Sequence, residues 1–166
     1  MSMLWSARAQ APLEEIAKFF SKLGLPQRAK FTFLLGRELC ERFNKKIPSK
    51  RKDLLSLPGV GEYVADAVLC FAFNERVSII DSNVCRVLGR VYDLKSKGEA
   101  RRDPQFKRAA NELLPADKVK EFNWAMIDLA SFICIPRKPI CYKCPLNEIC
   151  QYAKSDGLKA SSIEYV

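Results

Sequence analysis

Four cysteines gathered near the C-terminus constrain this chain more than any other feature. Cys134, Cys141, Cys144 and Cys150 follow a C-x6-C-x2-C-x5-C spacing within the stretch CIPRKPICYKCPLNEIC. Four thiolates on one short loop can close a tetrahedral shell about a metal centre, so the loop is expected to fold around a cofactor. Structural zinc usually takes two close pairs, each with two to four residues between its ligands. Only Cys141 and Cys144 form such a pair here. An all-cysteine set suits a [4Fe–4S] cube, which is held by four thiolates, and ligand softness points the same way. Zinc, or two disulfides, stays open as an alternative on spacing alone.

The rest of the chain disfavours disulfides. Seven cysteines are an odd number, and Met1 to Gln10 lacks the long apolar core of a secretory signal. Cys40, Cys70 and Cys85 sit among apolar residues in helix-like stretches and read as core residues. The expected compartment is therefore intracellular and reducing, cytoplasm or nucleoid. The 166 residues suffice for one domain or two small lobes, and 48% hydrophobic content is too high for a disordered chain. No apolar run approaches the ~20 residues needed to cross a bilayer, so no membrane is expected. A net charge of +9 points to an acidic partner, nucleic acid or an anionic surface, with a merely solubilising surface as the plain alternative. There is no histidine. That excludes His-ligated zinc, Ser-His and Cys-His nucleophilic pairs and histidine acid–base chemistry, leaving carboxylate, tyrosine or lysine as a general base.

Helical periodicity dominates. Pro12 suits a first helical position, Glu14 and Glu15 suit the positive helix start, and Ile16, Phe19, Phe20 and Leu23 make one stripe before Gly24. Pro26 opens a second segment with Phe31, Leu35, Leu39 and Phe43 on one face. Ser49 is expected to cap a short helix carrying Leu54, Leu55 and Leu57. After a tight turn, the next helix runs through Tyr63, Val64, Ala67, Val68 and Phe71. Val77 to Ile80 reads as an extended connector, since no partner strand is visible. Asp81 precedes a helix with Val84, Val87, Leu88 and Val91; Asp103 and Pro104 begin another; and 117–133 leads as a helix into the cysteine loop. The chain is predicted to be all-α.

Leu57-Pro58-Gly59-Val60-Gly61 lies between two short helices. The glycines allow φ > 0 and leave room for a surface to approach the backbone. The amides of Val60, Gly61 and Glu62 are expected to point outward at a helix N-terminus, an arrangement that binds phosphate. An ordinary helix–helix turn is the plainer alternative. Lys50 and Arg51 precede the turn, with Arg42, Lys45, Lys46 and Lys52 nearby, and Arg137 and Lys138 lie between the first two clustered cysteines. Such groups give DNA affinity that is salt-sensitive and indifferent to sequence.

The segments LPGVGEYVADAVL (57–69), IIDSNVCRVLGR (79–90), FNWAMIDLASFIC (122–134) and the four-cysteine loop, in this order and spacing, resemble the helix-hairpin-helix DNA glycosylases of the endonuclease III superfamily. The resemblance covers about residues 12–152 and is greatest to the mismatch-specific thymine/uracil and the adenine branches. It implies a two-lobed all-α protein on double-stranded DNA, an incomplete helical barrel beside an iron–sulfur lobe, with the DNA cleft between them. The expected organisation is the barrel over 1–102 with its helix-hairpin-helix at 50–73, the cluster lobe over 103–152, and a flexible tail over 153–166.

The resemblance also implies that Asp81, in IIDSNV, is the catalytic carboxylate. A carboxylate beside the anomeric carbon stabilises the oxocarbenium-like state and orients or deprotonates water. From the residues alone, an aspartate before a helix is first an N-cap; both roles can hold together. Members that also nick the backbone carry a lysine where this chain has Tyr63. A phenol cannot form an imine, so base removal without strand cleavage is expected.

The family has about two further helices before the point matching Leu13, bearing a wedge into DNA and, in the adenine branch, an acid for the leaving purine. Without them, weakened catalysis, a pyrimidine substrate (thymine or uracil opposite guanine) and an exposed apolar face covered by self-association or a partner chain are expected. A non-catalytic DNA-binding fragment and an adenine glycosylase fragment are the competing readings.

Overall fold

The computed structural model describes residues 12–157. Among these residues seven α-helices follow one another: α1 Leu13–Lys22, α2 Arg28–Arg42, α3 Arg51–Leu55, α4 Glu62–Phe73, α5 Ser82–Tyr92, α6 Pro104–Glu112 and α7 Val119–Asp128. Short 3-10 turns at Ala100–Arg102 and Cys141–Lys143 and π turns at Leu129–Ile133 and Ala153–Gly157 complete the order. No strand occurs among the described residues, and Val77–Ile80 is an irregular connector as expected. The fold is all-α. No described helix is long and apolar enough to cross a membrane.

These residues divide into two compact units, one ending at Leu69 and the other starting at Cys70, so α4 straddles the boundary. In the first unit, Pro12 takes the N-cap position of α1, one place earlier than expected. Gly24 ends that helix at φ +70°, a conformation that costs glycine little. No residue of α1 is buried; Phe19 and Leu23 stand exposed, as does Phe31 on α2. Ser49 does not cap α3. Lys50 holds that place in extended backbone, with no side-chain cap bond. Leu54, Leu57 and Ala65 are buried apolar residues beside the hairpin.

The second unit is organised by α5. Its face of Val84, Cys85, Val87, Leu88 and Val91 is buried, which is the 3.6-residue stripe read from the sequence. Val84, Cys85 and Leu88 pack with Phe106 and Ala110 of α6, whereas Val87 and Val91 pack with Ala130, Cys141, Cys150 and Ala153. Thus one helix lines two clusters, and the second of them is the floor of the cysteine loop. Asp103 caps α6 by accepting from the Gln105 amide, with Pro104 at the first helical position. That amide bond holds its carboxyl below the usual carboxylate range. Helix α7 begins at Val119, not 117, because Lys118 sits in the left-handed region at φ 54°. It gives way to the π turn at Leu129. Cys70 and Cys85 are buried as expected, but Cys40 is only half-buried. Of the expected tail, residues 153–157 continue as a π turn; 158–166 lie outside the described residues, as does the Met1–Gln10 segment.

One buried polar side chain fixes the connector between α4 and α5. Asn123, 3% exposed, accepts the Ile79 amide at 2.9 Å and donates to the Val77 carbonyl at 3.1 Å and the Val119 carbonyl at 3.0 Å. Ser78 adds a hydroxyl donated to Asn111 at 2.8 Å, and Arg76 reaches the carbonyls of Leu114 and Pro115. An irregular segment has no ladder to satisfy its own amides, so these side chains supply the partners. Truncating Asn123→Ala leaves the Ile79 amide buried without an acceptor. Urea unfolding should show a loss of about 2–3 kcal/mol; an unchanged midpoint would remove Asn123 from this role.

Candidate active site and cysteine centre

Asp81 begins α5 in extended backbone (φ −117°, ψ −177°) and caps it. Its Oδ1 accepts the amides of Asn83 at 2.8 Å and Val84 at 2.7 Å, and its Oδ2 accepts from the Asn83 side-chain amide at 2.9 Å. The carboxylate is half-buried. The N-cap expectation therefore holds in full, and the same bonds fix the carboxylate's orientation. Cys85, one turn on, has its thiol pushed up to about 11, by burial first and by Asp81 second. It stays an inert thiol at neutral pH.

Two residues of α5 that the sequence reading passed over engage the cysteine loop, and the first of them also ties it, through Asn83, to this carboxylate. Arg86 donates from Nη1 to the Asn83 side-chain oxygen at 3.0 Å, from Nε to the Cys134 carbonyl at 2.9 Å and from Nη2 to the Ala130 carbonyl at 2.9 Å. The π turn leaves the acceptor of the last bond free of its usual helical partner. In a regular α-helix, the Cys134 amide would take the Ala130 carbonyl. Here it donates instead to Leu129, at 2.7 Å, leaving the Ala130 oxygen for Arg86. Arg90, one turn further, reaches the loop at Cys134, Ile135 and Pro136. The only sequence signal for either was a pair of arginines four apart on a helix with an apolar stripe.

All four clustered cysteines line one pocket, whose wall is otherwise Arg90, Asn147 and apolar groups including Val87, Leu129 and Leu146. None of the seven cysteines is disulfide-bonded. Burial pushes the Cys141 and Cys144 thiols up, and for Cys141 the other three clustered sulfurs add to the rise. Among the described residues, however, no three acidic or thiol groups are already gathered as a metal shell. The donor set itself fits an iron–sulfur cluster: four soft sulfurs, an apolar wall and one cationic donor. Arg137 and Lys138 are exposed on the loop between Cys134 and Cys141.

In the first unit, the hairpin turns as expected but distributes its amides differently. The Val60 amide donates to the Leu57 carbonyl at 3.2 Å, closing the turn, so it does not point outward as a spare donor. Gly61 and Glu62 are exposed, Pro58 is half-buried, and Gly59 sits at φ +75°. Tyr63, on the first turn of α4, is 42% exposed. Lys50 is exposed, and Arg51 is paired with Asp66. The backbone at Gly59 favours glycine, and a Cβ there would meet Phe31 Cβ at 3.0 Å, so Phe31 would have to give way. Gly59→Ala should cost about 1–2 kcal/mol from the left-handed backbone alone. It should also weaken DNA binding several-fold in a titration at low salt; unchanged stability and affinity would contradict this account of the turn.

The family model for the helix-hairpin-helix motif matches residues 42–71. A thymine-DNA glycosylase of Aeropyrum pernix is 40% identical over 154 residues, covering 90% of this chain and 69% of its own. An adenine DNA glycosylase of Mycobacterium tuberculosis is 34% identical over 157 residues, covering 92% of this chain and 52% of its own. Among solved structures, a thermostable thymine-DNA glycosylase superposes with a TM-score of 0.84 at 33% identity, covering 90% of this chain and 70% of that one. An endonuclease III caught in a trapped covalent intermediate with DNA gives 0.77 at 26% identity, over 88% and 68% of the two chains. An all-helical fold of the helix-hairpin-helix class is thus defined. The chain belongs to the DNA glycosylases of the endonuclease III superfamily.

Proposed function

We propose that this chain is a monofunctional glycosylase of base excision repair, removing thymine or uracil mispaired with guanine in double-stranded DNA. The geometry of Asp81 carries the proposal: one oxygen is pinned by two helix amides, the other by Asn83. A carboxylate held in this way needs no reorganisation when charge develops on a substrate. As the glycosidic bond breaks, positive charge builds on the sugar. Asp81 would stabilise that charge and orient or deprotonate the attacking water.

Thymine and uracil can depart as delocalised anions, whereas adenine is a poor leaving group until protonated. The pyrimidine substrate is further favoured by relatives named thymine-DNA and thymine/uracil-DNA glycosylases, 40% and 35% identical to this chain. Tyr63 stands where a lysine would serve as an imine-forming nucleophile, so it would contact substrate without attacking it. The hairpin backbone at Pro58, Gly59, Gly61 and Glu62, with the side chains of Lys50, Arg137 and Lys138, would meet phosphates; the Val60 amide closes its own turn and Arg51 is paired with Asp66, so these two would contribute less.

The four thiols would hold a [4Fe–4S] cluster, Cys134, Cys141, Cys144 and Cys150 each supplying one sulfur. When bound, the cluster would close the loop that carries Arg137 and Lys138. A second reading, adenine excision, is favoured by the 34% identity to an adenine DNA glycosylase.

Excision measured on G·T, G·U and A·8-oxoguanine duplexes separates these. Base release should occur on G·T and G·U, with the strand cut only after alkali treatment. Release confined to A·8-oxoguanine would favour the second reading, and strand cutting without alkali would contradict a monofunctional enzyme.

A further inference from the structure

Arg90 touches both ends of the cysteine loop. Its Nη1 approaches the Ile135 carbonyl at 2.8 Å, the Cys134 carbonyl at 3.3 Å and the Cys134 Sγ at 3.3 Å. Its Nη2 donates to the Pro136 carbonyl at 2.9 Å. Its guanidinium carbon lies 4.8 Å from the centre of the Tyr152 ring, and its own carbonyl accepts the Cys150 thiol at 3.4 Å. One residue therefore engages the first and last of the four cysteines, three consecutive carbonyls after α7, and the aromatic ring that follows Cys150. Arg86 differs. Its donors go to two carbonyls and Asn83, and none to sulfur.

We propose that Arg90 is the positioning residue of the four-cysteine centre. Its side chain anchors the Cys134 end of the loop and raises the reduction potential of the cluster through its N–H···S bond to Cys134. The proposal rests on the iron–sulfur reading of the four thiols.

Two physical points carry it. Three successive carbonyls converging on one side chain leave their backbone facing inward, which needs several directed donors. A planar guanidinium supplies five, in a fixed fork; an ammonium supplies three at a single point and cannot span the same acceptors. Four thiolates also concentrate negative charge in an otherwise apolar wall. A cationic donor on one sulfur favours whichever state carries more negative charge, the reduced one. Hydrogen bonds to sulfur and local charge are among the main determinants of cluster potential.

The test compares wild type with Arg90→Met, which keeps an unbranched apolar stem without the charge, and Arg90→Lys, which keeps the charge without the fork. All three are reconstituted anaerobically with iron and sulfide. Iron content, midpoint potential by film voltammetry and the rate of iron loss to a chelator are then read. Arg90→Met should shift its potential negative by at least tenfold in the reduction equilibrium, about 59 mV for one electron. It should also release iron several-fold faster. Arg90→Lys should keep most of the potential but release iron nearly as fast as Arg90→Met.

A variant that keeps its helical circular dichroism yet takes up no iron supports the holding role. Wild-type potential in Arg90→Met overturns the tuning role, and wild-type release rates in both variants overturn the holding role. A wild-type protein that takes up no iron sinks the cluster reading itself, and the proposal with it, a result distinct from unchanged variants of a loaded protein.

Discussion

The two amide bonds that Asp81 accepts at the head of α5 set the geometry of the unit that begins at Cys70. They fix where the helix starts, and hence the phase of every side chain along it. With that phase, Val84, Cys85 and Leu88 meet α6, Val87 and Val91 floor the cysteine loop, and Arg86 and Arg90 point at Cys134. A start displaced by one residue would rotate the helix by about 100°, taking the arginines away from the loop. The positions of Asp81 and of Arg90 thus follow from one cap.

The connector before the cap and the turn after α7 cooperate with it. Asn123 holds Val77 and Ile79 from a buried position, so the carboxylate hangs from a segment secured on both sides. The π turn of Leu129–Ile133 costs the helix regularity but exposes a carbonyl for Arg86. Asp81, Asn83, Arg86 and the Cys134 carbonyl then form one unbroken chain of hydrogen bonds. In a protected setting, each member of such a chain polarises and orients the next. The cysteine loop and the carboxylate are in this way joined through defined contacts.

Much of this was legible in the sequence because the signals are local. Asp81 and Asp103 announce caps by chemistry and position, the cysteine spacing announces a shared centre, and the stripe on α5 follows the helical period. What escaped detection depends on partners distant along the chain. Arg86 and Arg90 look like surface cations until the carbonyls of residues 130–136, more than forty positions away, are brought to them. Asn123 reads as a polar interruption of α7, and only the unsatisfied connector explains it. Ser49 fails as a cap although its residue type is right, since Lys50 supplies the extended backbone at that point. Val60 fails as an outward donor because its amide closes its own turn. Helix boundaries and amide directions are decided by backbone angles, which residue type alone constrains weakly.

The central claim, that the capping carboxylate of Asp81 is also the chemical group, is tested most directly by excision kinetics of Asp81→Asn under single-turnover conditions on a G·U duplex. Asparagine caps a helix about as well as aspartate, so fold and duplex binding should be retained while the charge is removed. The account predicts that base release falls by about 10³-fold with thermal unfolding little changed. Excision at near the wild-type rate in this folded variant would contradict it.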